Sequence, residues 1–81
     1  MTIDNYLNKP FRIDGRKFYI AEVHDHLRVH NGYILCNIQD DHVANVSQIT
    51  DQGFGWFTYV LGVEVQGFIK YVDLEQKLII N

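Results

Sequence analysis

His24 and His26 stand two residues apart, with Glu22 two further upstream. On an extended strand these three side chains share a face at about 6.6 Å per step, a spacing at which two imidazoles can reach one metal ion. Glu22 is the better third ligand, because the cross-strand neighbours expected for the pair are Gln39 and Asn37, poor ligands for zinc. His30 is too far along the strand to join them without a bend, and His42 sits beside Asp40 and Asp41. Solvated imidazoles on an outer sheet face are the simpler reading of His24, His26 and Glu22, so neither a metal nor another cofactor is expected. Cys36 is the single thiol. A reactive thiolate needs an imidazole within hydrogen-bond reach, and the pairing described below turns Cys36 inward and the strand histidines outward. Asp25 falls on the apolar face, where burial would favour its protonated form. No glycine-rich phosphate loop, nucleophile elbow or paired metal motif is present. The chain is expected not to be an enzyme.

The other chemistry-bearing stretch runs from Gln52 to Tyr59 and holds the one tryptophan, Trp56, with Phe54, Phe57 and Tyr59 behind two glycines. Alternation predicts a strand with Phe57, Tyr59, Leu61, Val63 and Val65 inward and Phe54, Trp56, Thr58 and Val60 on the opposite face. Rings on a solvated sheet face can stack flat groups, at about 1–3 kcal/mol per nucleic-acid base. Gly53 and Gly55 would let a ligand backbone approach closely. The same rings can instead form a second apolar layer under residues 40–53 or under a partner chain, since Trp and Tyr are frequent interface anchors. The contact set expected from this stretch and its neighbours is Gln52, Phe54, Trp56 and Thr58 with Arg28 and Tyr33.

Gln52 to Tyr59 resembles the ribonucleoprotein octamer of RNA-recognition-motif domains, in which a basic residue precedes Gly-aromatic-Gly-aromatic. The resemblance implies that Phe54 and Trp56 are the displayed rings, with Phe18 to Val23 in the place of the shorter second motif. It covers eight to fourteen of the 81 residues. The chain departs from the pattern with Gln52 at the basic position, Phe57 at an aliphatic one, and an Asn-Gly turn where the family has a helix. The family is therefore not assigned.

The elements that must position these residues are mostly strands. Ile3, Tyr6 and Leu7 fall at helical spacing, Thr2 or Asp4 can cap, and Pro10 ends the segment. Asp14-Gly15 and Asn31-Gly32 are two-residue hairpin signals, and the strand between them spans Arg16 to His30. Pairing across Asn31-Gly32 puts Val29 opposite Ile34, Leu27 opposite Cys36 and Asp25 opposite Ile38 on the core face. The outer face then carries Tyr33, Leu35, Asn37 and Gln39. Phe18 to Ala21 are apolar on both faces, the mark of a strand that bends between sheets. Residues 40–53 read as a short helix capped by Asp41, with Val43, Val46 and Ile49 inward, although their β-branched content pulls towards a strand. Val65-Gln66-Gly67 reads as a reversal, Asp73 to Lys77 as a turn, and Leu78 to Ile80 as a closing strand.

The expected fold is all-β or β-rich α+β, a single domain over 1–81. It is a small antiparallel barrel-like or strongly curved sheet of five or six strands, with at most two short helices. A lone cysteine suits a reducing compartment. No apolar run approaches membrane-spanning length, and the first ten residues lack the apolar core of a signal peptide. A soluble cytoplasmic protein without membrane contact is expected. The formal charge of −3 argues against a general phosphate-backbone binder. Protonation of the four histidines carries that charge to +1, so solubility and any charge-dependent binding are expected to change between about pH 7 and 5.5. The function these features favour is a non-catalytic binding protein acting on a protein partner or on itself as a homo-oligomer. By analogy rather than physics, it suits an inhibitor or adaptor of the kind phages encode. Single-stranded nucleic acid or a nucleotide is the alternative partner, and metal-dependent function on the histidine face comes third.

Overall fold

Asp14 and Gly15 take φ angles of 50° and 79° and turn strand β1 (Phe11–Ile13) back on β2 (Arg16–Glu22), with Ile13 opposite Arg16. Two successive left-handed residues make the turn whose twist matches a hairpin. The computed structural model describes residues 2–23, 32–39 and 42–79. Their remaining elements are a 3-10 turn (Ile3–Tyr6), β3 (Tyr33–Asn37), β4 (Val43–Ile49), β5 (Gly53–Val60), β6 (Val63–Lys70) and helix α1 (Tyr71–Lys77). The six strands form one antiparallel sheet in chain order, curled into a half-barrel.

Several local expectations need correction, each for a physical reason. Ile34 pairs with Ala21 and Asn37 with Phe18, rather than Ile34 with Val29. The Val23 N–H donates to the Gly32 carbonyl at 2.8 Å. The expected strand residues His24 to His30 and the Asn31 half of the turn lie outside the described residues. The core face of β3 carries Leu35 and Asn37, while Ile34 and Cys36 are only half-buried and Ile38 is exposed. Hydropathy could not choose between two apolar faces. Asn37 tolerates burial because its Oδ1 accepts the Gln39 N–H at 2.9 Å.

Residues 43–49 are a strand, not a helix. A β-bulge between Val46 and Gln48 puts Val46 opposite Trp56 and Ile49 opposite Phe54. One extra residue thus turns an every-second repeat into an every-third one, which on paper looks helical. The β5–β6 reversal is made by Leu61 and Gly62, at φ 52° and 80°, and Gly67 stays inside β6. A left-handed leucine costs about 1–2 kcal/mol, which the long unbroken β5–β6 ladder offsets. The faces of β5 are also the reverse of those expected: Phe54 is 0 % exposed, whereas Tyr59 is 58 % exposed, and Leu61 stands in the turn at 99 %.

Tyr71–Lys77 form a helix, where a turn is expected over Asp73 to Lys77. Tyr71, Leu74 and Leu78 lie on one helical face, with Asp73 in the first turn and Lys77 in the last, the arrangement that suits the helix dipole. α1 packs against both β6 and β1. Beyond it Leu78 bridges to Phe11, and the Ile79 N–H donates to the Pro10 carbonyl at 3.0 Å; Ile80 lies outside the described residues. The tail thus pairs with β1 much as a closing strand would. At this same end the 3-10 turn docks through Tyr6, which stacks on Tyr71 with ring centroids 5.6 Å apart and planes 4° from parallel. Ile3, Tyr6, Tyr71 and Leu74 join Phe11, Ile20 and Phe54 in the core.

Candidate partner-binding groove

Helices cover only one end of the concave sheet, and the other end is an open groove of about 600 Å³. Its floor follows from strand register. Phe18 stands opposite Asn37 and Leu35 opposite Ala44, and Trp56 continues the lining on β5. Ile13 and Val60 form its apolar sides, while Asp14, Arg16 and His42 bring a carboxylate, a guanidinium and an imidazole to its lining. The lining is mainly apolar, and the volume is in the range of pockets that hold a ligand or several side chains.

Trp56 is half-buried and owes its position to glycine. It pairs with Gly67 of β6, and a Cβ there would come within 2.6 Å of Trp56 Cζ2. The indole therefore lies over bare backbone, the way an aromatic ring shields a glycine within a sheet. Gly53 serves the core in a related way: a Cβ at this position would collide with the Ile69 carbonyl oxygen. Thr58 donates its hydroxyl to the Val43 carbonyl at 3.1 Å, tying β5 to β4 at the groove wall.

The expected contact set is therefore divided. Trp56 and Thr58 line the groove. Phe54 belongs to the core, its ring tilted against Tyr71 at 6.4 Å between centroids, so it is not the displayed ring that the octamer resemblance implies. Gln52 lies in the β4–β5 turn at the helix-covered end, its carbonyl accepting the Tyr71 N–H at 2.9 Å. Tyr33 donates its hydroxyl to Asp4 Oδ1 at 2.6 Å. That bond, with burial and the Asp4 charge behind it, pushes the Tyr33 pKa up to about 12. Its role here is to anchor the 3-10 turn. Arg28, His24, His26 and Asp25 lie outside the described residues, and Glu22 is exposed opposite Tyr33. Among the described residues no cluster of three His, Cys, Asp or Glu side chains could hold a metal ion. Cys36 borders a small hollow with Tyr19, Ile38 and Val43, whereas His42 lines the groove.

Ile13, Phe18, Leu35 and Val60 were not singled out by residue type. The two-sided apolarity of residues 18–21, which marks where the sheet curls, pointed to Phe18 alone among them. The six-strand antiparallel meander also differs from the strand-and-helix alternation that an RNA-recognition domain requires. Comparison of the chain with protein-family models, with curated proteins and with solved structures finds no match in any of the three.

Proposed function

We propose that this chain is a non-catalytic binding protein whose half-barrel groove, floored by Trp56, takes an apolar segment of a protein partner. The observation that carries the reading is the unequal covering of the concave face. Helices seal the Phe54 end, while at the other end Val60, Val63 and Val65 are 47 %, 65 % and 40 % exposed. Apolar surface of this kind, rimmed by a few polar groups, is the usual mark of an interaction site. An inhibitor or adaptor role in a reducing, cytoplasmic setting goes with it, of the kind phage genomes encode. Among the described residues, no helix is long and apolar enough to cross a membrane.

Single-strand or nucleotide binding is the second reading, favoured by Trp56 and Arg16 sharing one groove. It ranks lower because Phe54, the other ring of the octamer, is covered, and because the net charge is −3. Selection of peptides from a display library, set beside titration with oligothymidylate, tests both. Apolar peptides are expected to shift Trp56 emission to the blue and to lose binding in Val60→Asp. Binders that leave the emission unchanged would rule out the groove. Oligonucleotide binding that weakens with salt, with no peptide selected, would transfer the assignment to nucleic acid.

A further inference from the structure

The two edges of the sheet are treated differently. β1 is three residues long and is covered on its free side by Leu78 and Ile79. β6 is eight residues long, and among the described residues it pairs with β5 alone. It has no proline and no bulge, its register with β5 being unbroken from Val63 to Lys70. Long, regular edges without such devices are templates for pairing with another strand.

The direction of the free hydrogen-bonding groups follows from the hairpin. A two-residue turn at Leu61-Gly62 makes Val60 and Val63 the closing hydrogen-bonded pair. Odd-numbered residues of β6 therefore direct N–H and C=O towards β5, a set continued by the Tyr71 N–H on the Gln52 carbonyl. Glu64, Gln66, Phe68 and Lys70 direct theirs to the open edge.

We infer that β6 pairs antiparallel with β6 of a second copy of this chain, across a two-fold axis at Gly67. That register is self-complementary. It sets Glu64 opposite the partner's Lys70, and Lys70 opposite the partner's Glu64. Gln66 meets the partner's Phe68, so every outward-directed group faces another, as an antiparallel ladder requires. Val65 meets the partner's Ile69 on the concave face. The axis falls on a non-hydrogen-bonded pair, where Cα atoms come closest, at about 4.5 Å, and Gly67 brings no side chain to that approach. Phe68, which is 45 % exposed, reaches its own copy diagonally across the axis, at about 7–8 Å between backbones. The result is one continuous sheet running through both copies. This goes beyond the groove reading and does not depend on it.

Sedimentation velocity over a concentration series, with amide exchange followed residue by residue, tests the pairing. The expected species has twice the 9.5 kDa chain mass, and the amides of Gln66 and Phe68 become protected as it forms. Glu64→Lys alone, or Lys70→Glu alone, should weaken association about tenfold or more by setting like charges opposite. The double swap should restore it. Gln66→Pro removes an outward N–H while leaving the β5 ladder intact, and should give a folded monomer by circular dichroism. If that variant does not fold, the charge swap still decides. A monomer at every concentration, or a dimer indifferent to the single charge reversals, overturns the inference.

Discussion

The Trp56 indole sits over the α-carbon of Gly67, so close that a methyl group there would lie 2.6 Å from Cζ2 and 2.9 Å from Nε1. The floor of the groove is thus made jointly by one large side chain and one missing side chain on adjacent strands. Gly67→Ala must displace the ring, at an expected cost of about 1–3 kcal/mol, together with a red shift of Trp56 emission. Gly62→Ala is the control. It meets nothing within 4 Å but keeps a φ of 80°, so it should cost about 1–2 kcal/mol and leave the emission alone. Denaturant midpoints and emission spectra of the two variants check this. An unmoved spectrum in Gly67→Ala means the ring is not seated there.

Phe54 and Trp56 are separated by one residue and share a face, yet they should respond differently to truncation. Phe54→Ala opens a cavity under α1 and should cost about 3–5 kcal/mol. Trp56→Ala empties a site that already borders the open groove, so it should cost less than Phe54→Ala despite removing more atoms. Urea unfolding of both variants decides. The reverse order would mean that the groove is filled in the free protein.

Strand composition and turn chemistry were legible in the sequence. Asp14-Gly15, a short helical turn near the start (ended at Tyr6, before Pro10), and the count of five or six antiparallel strands all appear in the fold. Which face turns inward was not legible, because β3 and β5 carry apolar side chains on both sides. In β5 the inward face is the one that meets α1, where the Tyr71 ring packs against Phe54. That helix, Tyr71–Lys77, was itself hidden because Asp73 to Lys77 reads as a turn. The bulge in β4 misled in another way, by giving Val46 and Ile49 helical spacing. The groove depended on all three choices, so of the expected contact residues that the structure describes, Trp56 and Thr58 line it and Gln52, Phe54 and Tyr33 do not.

Tyr6 and Tyr71 stack on one another but differ in what their hydroxyls do. Tyr6 donates to Glu75 Oε1 at 2.9 Å, so Tyr6→Phe should destabilise by about 0.5–1.5 kcal/mol. The Tyr71 hydroxyl is buried; it feels the Ile3 main chain, yet has no hydrogen bond of good geometry among the described residues. Tyr71→Phe should therefore be neutral or stabilising, by up to about 1 kcal/mol, because it removes a buried hydroxyl with no hydrogen bond of good geometry. Thermal melts of the two variants should move in opposite directions, or Tyr71→Phe should not move at all. A clear loss in Tyr71→Phe would assign that hydroxyl a working partner.

The same tyrosines set the alkaline limit of the fold. Burial first, then the hydrogen bond to Glu75 and its charge, push the Tyr6 pKa from 10.0 up to about 12. The hydrogen bond to Asp4, with burial second, does the same for Tyr33. Burial also raises Tyr71. A phenol whose folded pKa lies above its unfolded value binds its proton more tightly when folded. Its contribution is complete below pH 10 and disappears as the pH rises through about 12. Stability should therefore be insensitive to these groups at neutral pH and fall steeply between about pH 10 and 12. Tyrosinate absorbance followed together with circular dichroism checks the mechanism. Tyr6, Tyr33 and Tyr71 should ionise only as the fold is lost, and Tyr33→Phe should shift the transition by removing the phenol that locks the 3-10 turn to β3. Ionisation of all five tyrosines near pH 10 with the dichroism unchanged would mean that neither hydroxyl bond holds in solution.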